Sequence, residues 1–293
     1  MTNKKGLCLI LNLILILSCK PINNDAPVRE TILLKEGWSF KKGHFPEAKA
    51  INFDDSSWEQ VNVPHDWAIY GPFDKTIDLQ TVAISQNQET EASEKTGRTG
   101  ALPYIGEGWY RNTFSLPELN ADKRVILQFD GAMSEPEIFI NGVKVGEWKY
   151  GYAYFFFDIT KYVKPENNLL AVKLNNREKS SRWYPGAGLY RNVKLIVKNK
   201  EHITQWGQFI TTPVITDKQA KVNIKTKVTG KNLSLVSTIY DASGQRIVEH
   251  ESSTTFNDEF DQNLSVPQPK LWSPEQPYLY TAVSQLYHGN ELK

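Results

Sequence analysis

Ile138-Phe-Ile140, Asn141-Gly142 and Val143-Lys-Val145 follow one another without a break, and their reading decides the fold class. An Asn-Gly pair between two short apolar runs signals a two-residue hairpin, because both central positions of a type I′ turn need positive φ. Outward from it, Val125-Ile-Leu-Gln-Phe129, Leu169-Leu-Ala-Val-Lys-Leu174 and Asn192-Val-Lys-Leu-Ile-Val197 are runs of the same kind. Their apolar members are β-branched or aromatic and recur with a period near two, the spacing that puts alternate side chains on one face of a strand. No segment sustains a 3.6-residue apolar stripe over three turns. The sequence predicts an all-β chain.

A second segment begins near His202. Val222 to Val228, Leu233 to Tyr240, Arg246 to His250, Phe256 to Leu264 and Tyr278 to Tyr287 are five strand candidates, with Asp241-Ala-Ser-Gly244 as a turn. An immunoglobulin-like sandwich has this spacing but usually about seven strands, so the segment reads as one with its last strand missing. Between the early strands, Asp74 to Glu107 is polar and shows no strand before Trp109. Loops of that length inside a domain are functional or disordered, and the functional reading is preferred.

The amino terminus sets the compartment. Lys4 and Lys5 precede an apolar run from Leu7 to Leu17 that closes on Ser18-Cys19. This is the pattern of a secretory signal, and the run falls short of the roughly 18 apolar residues that a membrane-spanning helix needs. A small residue followed by cysteine resembles a bacterial lipoprotein cleavage site, which makes Cys19 the lipidated first residue of the mature chain. An ordinary signal peptide with an incidental cysteine is the alternative. Cys8 lies inside the signal and the chain has 2 cysteines in all, so the mature protein has no disulfide framework or thiolate metal site. The expectation is an exported protein, periplasmic or anchored at the outer membrane, that touches membrane only through its lipid.

A formal charge of +1 gives no electrostatic footprint for nucleic acid. The 5 histidines are scattered without ligand spacing, so no metal or cofactor is expected. There is no phosphate loop, His-Glu-x-x-His pair or nucleophile elbow. Aromatics are the stronger signal, with 8 tryptophans and 13 tyrosines, several beside polar turn residues: Pro64-His-Asp-Trp67, Gly108-Trp-Tyr-Arg111 and Ser181-Arg-Trp-Tyr-Pro-Gly186. Each ring either fills the core or offers a flat face to a sugar. Arg182 and Asp66 are harder to bury, because an unpaired charge in a core is costly.

Several stretches together resemble the front of glycoside hydrolase family 2, which includes β-galactosidases, β-glucuronidases and β-mannosidases. They are Gly37-Trp-Ser-Phe40, Trp58 through Val63-Pro-His-Asp-Trp67, Gly108-Trp-Tyr-Arg-Asn-Thr-Phe114, Phe129-Asp-Gly131 with Ile140-Asn-Gly142, Gly151-Tyr152 through Phe157-Asp-Ile-Thr160, Ser181 through Val193, and Trp272 through Tyr280. The resemblance implies a jelly-roll-like sandwich over 31–200 and an immunoglobulin-like domain over 201–293, behind a signal at 1–19 and a linker at 20–30. It also implies a retaining β-glycosidase, most readily a β-galactosidase, whose two glutamates sit on a (β/α)₈ barrel of ~250 residues. These 293 residues leave no room for that barrel, so no catalytic residue is assigned, and the lone Asn290-Glu291 pair reads as a hairpin turn. The implied ligand is a β-linked oligosaccharide or glycoside, with Arg182, Asp66 and Tyr104 as its candidate contacts. Some β-galactosidases have an acidic residue in place of Arg182, which leaves the sugar open. Self-association is left open too. A carbohydrate-binding lipoprotein without hydrolysis and an adhesion protein are the rival classes.

Overall fold

The computed structural model describes residues 28–70, 74, 76, 79–96, 105–177, 186–254 and 258–293. Cys19, Tyr104 and Arg182 lie outside them. The first part of the chain forms β1 (Arg29–Leu33), β2 (Trp38–Lys42), β3 (Glu59–Val61), β4 (Leu79–Val82), β5 (Ser93–Thr96), β6 (Gly106–Phe114), β7 (Lys123–Phe129), β8 (Glu137–Ile140), β9 (Val143–Glu147), β10 (Phe155–Asp158), β11 (Asn168–Asn176) and β12 (Val193–Asn199). The second part forms β13 (His202–Ile215), β14 (Gln219–Thr229), β15 (Leu233–Tyr240), β16 (Arg246–Thr254), β17 (Glu259–Pro267), β18 (Thr281–His288) and β19 (Glu291–Leu292). The all-β expectation holds: a jelly-roll-like sandwich is followed by an immunoglobulin-like one.

In the first sandwich a sheet ordered β1-β12-β7-β10 faces one ordered β3-β2-β6-β11-β8-β9. Alternation explains which side chains meet: Val125, Leu127 and Phe129 of β7 point inward with Val193 and Leu195 of β12, against Ile138, Ile140, Leu170, Val172 and Leu174 from the other sheet. β11 is buried on both faces. Its outward Ala171 joins Trp109, Phe139, Trp58 and Ala48 in a second apolar layer, which is why its sequence reads as a nearly continuous apolar run rather than an alternation. The turn between β8 and β9 is the expected hairpin, with Asn141 at φ 51° and Gly142 at φ 86°. Asn141 also ties the turn inward, donating to Tyr162 O at 2.9 Å and accepting Leu169 N–H at 2.9 Å.

Two expectations need correction. The segment from Asp74 to Glu107 is not strand-free, since β4 and β5 pair within it and β6 starts at Gly106. Their members Leu-Gln-Thr-Val and Ser-Glu-Lys-Thr are too short and too polar to show a period. Among the described residues the second sandwich has seven strands rather than five, in sheets β13-β14-β17 and β16-β15-β18-β19, so the expected gap at its last strand is not found. β13 escaped notice because its register shifts between Ile203 and Gln208 and again between Thr211 and Val214, and each bulge resets the alternation. β19 consists of two residues paired with Tyr287 and His288 across a turn with Gly289 at φ 59°. Glu291 is thus the first residue of a strand beside the turn.

Candidate functional site

Loops at one end of the first sandwich converge on the flanks of the segment that carries Arg182. Asp66 is the centre of this convergence. Its Oδ1 accepts the N–H of Ala68 at 2.9 Å, closing its own turn, and the N–H of Ala187 at 3.0 Å, 121 residues away in sequence. The backbone repeats the link, with Trp67 N–H donating to Ala187 O at 3.0 Å and His65 N–H to Leu189 O at 2.8 Å. On the other side, Gly188 and Met133 exchange N–H···O bonds of 2.7 and 2.9 Å, and the Tyr190 hydroxyl donates to Gly151 O at 3.0 Å. Before the segment, Arg177 Nε lies 2.8 Å from Glu135 Oε2. Both flanks of 178–185 are therefore tied to neighbouring loops.

Beneath the clasp lies a buried aromatic floor. Phe40 stacks on Trp67 at 5.4 Å, and Tyr110 lies 4.6 Å from Phe40. The Tyr110 hydroxyl accepts Leu189 N–H and faces His65 Nδ1 at 2.7 Å. Burial holds the Tyr110 phenol far above its usual range and pulls the His65 imidazole below its own. Both are neutral at pH 7, so this pair acts as a fixed hydrogen-bonded post. Gly188 fits against it because it has no side chain: a Cβ there would lie 2.4 Å from Tyr110 Oη and 2.7 Å from His65 O, at φ +110°.

The rim is mixed in character. Tyr150 and Tyr152 are exposed, in edge-to-face contact at 5.7 Å. Lys194 Nζ meets Asp130 Oδ2 at 2.6 Å. Burial would raise the Asp130 carboxyl, but hydrogen bonds from Lys194 and Gln128 outweigh it and leave Asp130 below the usual carboxylate range. The site holds the residues that flank 178–185. No group of three or more metal-binding side chains lies together among the described residues.

Of the three residues singled out from sequence, Asp66 stands in this clasp, bound to backbone, while Arg182 and Tyr104 lie outside the described residues. Trp67, Trp109 and Tyr110 are buried, so for these rings the core reading was right. Arg111 and Asp158 are structural as well: Arg111 Nε pairs with Asp55 at 2.9 Å, and Asp158 Oδ1 accepts Thr160 N–H at 2.9 Å. Sequence reading missed Gly188, Glu135 and the His65–Tyr110 pair, whose partners are distant in the chain. The Gly186-Ala-Gly188 spacing was the one local signal for Gly188.

Comparison with known proteins follows the same division of the chain. The family model "Glycosyl hydrolases family 2, sugar binding domain" matches residues 34–199, and "Glycosyl hydrolases family 2" matches residues 201–293. Beta-galactosidase BoGH2A of Bacteroides ovatus is 38% identical over 274 residues, covering 90% of this chain and 30% of that protein. A putative beta-glucuronidase of Formosa agariphila is 35% identical over 282 residues, covering 95% of this chain and 26% of that protein. Among solved structures, a glycosyl hydrolase family 2 member from Bacteroides cellulosilyticus superposes with a TM-score of 0.76 at 31% identity, over 89% of this chain and 34% of its own. A beta-glycosidase from Bacteroides vulgatus gives a TM-score of 0.77 at 29% identity, over 90% of this chain and 32% of its own. The chain thus spans about a third or less of the length of these relatives.

Proposed function

The chain belongs to glycoside hydrolase family 2, and from that premise we propose that it is the amino-terminal portion of an exo-acting β-glycosidase that removes terminal β-linked sugars, β-galactosides first among them. The observation that carries this reading is the clasp around residues 178–185. A loop offered to a sugar from a sandwich must be held at both ends, since each misplacement of a contact by a fraction of an ångström weakens its selective hold on the transition state. Arg177–Glu135 and Asp66–Ala187 supply those two ties. Arg182, between them, is the residue we assign to the terminal sugar, with Tyr104 as a second contact and Asp66 as a positioning residue.

Cleavage itself needs an acid/base and a nucleophile about 5–5.5 Å apart in a retaining enzyme. Carboxylates that lie close together among the described residues, such as Glu137 and Glu147, are paired with lysine, and in this reading the reacting pair comes from a barrel that the two sandwiches accompany. Galactoside and glucuronide are both represented among the relatives; a cationic Arg182 suits a carboxylate-bearing sugar as well as a neutral one. The test is to assay the product of the whole reading frame on aryl β-galactoside and aryl β-glucuronide side by side. Preference for the galactoside supports the specificity proposed, preference for the glucuronide moves it, and turnover of neither refutes the glycosidase reading. Export as a Cys19-anchored lipoprotein belongs to the same proposal. A fatty-acid probe should label the wild type and not Cys19→Ala, and equal labelling of the two would exclude it.

A further inference from the structure

The outer face of the sheet β1-β12-β7-β10 is not open to solvent throughout, because β13 and β18 of the second sandwich stand over it and leave a cleft of about 680 Å³. Volumes of this order hold small ligands. Arg29 and Lys198 line the cleft, and the strand register places three cations side by side there and beyond its edge: Arg29 is paired with Lys198, and Lys198 with Arg124. Like charges directly opposite one another destabilise a sheet. Here the middle one is also buried, with Lys198 only 3% exposed. Among the described residues no carboxylate pairs with any of the three. Lys198 Nζ donates to a single backbone oxygen, Ile203 O, at 3.3 Å, and Arg124 turns back onto Lys123 O and Ala121 O. The nearby acid Glu201 is engaged by His288 at 2.9 Å and Lys293 at 4.0 Å. An ammonium placed this way keeps unfilled hydrogen-bonding capacity, which the fold tolerates at a cost. Burial and the Arg29 charge bring Lys198 down to about 8.

The cleft wall beside these cations is aromatic. Tyr154 and Trp206 lie 3.8 Å apart between centroids, half exposed, and Phe156 supports Trp206 edge-on at 5.0 Å. Gln208 crosses to Ser284 at 2.7 Å on the opposite wall, leaving its amide oxygen for a hydroxyl donor. An uncompensated buried cation asks for an oxyanion, exposed rings ask for an apolar face, and an amide beside them asks for hydroxyls. An acidic sugar combines the three.

We propose that this cleft between the two sandwiches is an accessory binding site for an acidic saccharide, a uronate or sulfate-ester residue whose oxyanion pairs with Lys198 and Arg29 and whose ring packs on Tyr154 and Trp206. It is separate from the Asp66 clasp and uses no catalytic group, so it stands or falls independently of the glycosidase reading.

The experiment is calorimetric titration of the purified protein, with Trp206 fluorescence as a second readout. The ligands are trigalacturonate, a sulfated galactobiose, neutral galactobiose and sodium sulfate at matched ionic strength. We expect at least one acidic sugar to bind about tenfold or more tightly than the neutral one, the effect of one charge-assisted hydrogen bond. Lys198→Met should lose about that factor while melting no lower than wild type. Arg29→Gln, a change at an exposed position that leaves the core intact, should weaken binding in the same direction, and Trp206→Ala should weaken sugars but not sulfate. Equal binding of neutral and acidic sugars, unchanged affinity in both charge variants, sulfate alone binding as tightly as the acidic sugar, or no binding of any ligand would each overturn the proposal.

Discussion

At the scale of single residues, side chains of similar charge have opposite fates according to what surrounds them. Arg111 is buried, but four of its guanidinium's five N–H donors are used, by Asp55 and by Ala50 O, Ala48 O and Phe53 O. Arg111→Met should cost about 3–5 kcal/mol, because it leaves Asp55 and these carbonyls without their donor, and chemical denaturation measures it. Asp66→Ala should cost about 1–3 kcal/mol for two lost backbone bonds, whereas Asp66→Asn keeps an acceptor oxygen and should cost much less. Lys198 is the contrary case, and its pH behaviour has a definite sign. Since its folded value of about 8 lies below the unfolded lysine value of ~10.4, the unfolded state holds more protons between the two, and stability rises as pH passes upward through that window. A melting series from pH 7 to 10 should show this rise in the wild type and a smaller one in Lys198→Met. A rise of equal size in both would assign it to other groups. The sequence marked Asp66 as hard to bury and made it a candidate sugar contact. That its partner is Ala187 N–H was not legible, because nothing local marks a backbone donor 121 residues on.

Elements were legible where one rule acted alone. The hairpin at Asn141-Gly142 could be placed to the residue, because positive φ at two successive positions has few solutions. Strands β14 and β17 alternate without a break, burying Val222, Ile224, Leu264 and Val266 on one face, and were found within a few residues. β13 was missed because Trp206 at φ 52° and two register shifts break its period. Conversely, the polar stretch after Asp74 concealed a hairpin whose residues have no apolar face to announce it. Glycines test this level. Gly188→Ala should cost about 2 kcal/mol or more, since positive φ and a clash with Tyr110 and His65 add together. Gly244→Ala, at φ +83° with nothing within 4 Å, should cost only about 1 kcal/mol for the backbone alone. A larger loss at Gly244 than at Gly188 would show that the clasp is looser than its hydrogen bonds imply.

At the scale of the whole molecule, two sandwiches are joined through contacts that run along one sheet face, with Gln205 donating to Gln128 at 2.7 Å and Trp206 resting on Tyr154 and Phe156. Family membership was readable because its motifs are several and ordered along the chain, among them the Asn141-Gly142 turn and the residues of β6. The identity of the sugar was not, and relatives named for either sugar leave it open. The central claim of the proposal is that these sandwiches hold the flanks of residues 178–185 for a glycosidase whose cleavage chemistry lies elsewhere in the protein. Steady-state kinetics on an aryl β-galactoside and an aryl β-glucuronide, for the product of the whole reading frame, its Arg182→Ala variant and the 293-residue chain, test it most directly. We expect turnover by the first, a fall in kcat/KM of about tenfold or more in the second, as for a contact that strengthens in the transition state, and none by the third. Turnover by the 293-residue chain after removal of host enzyme, or full activity in Arg182→Ala, would contradict the account.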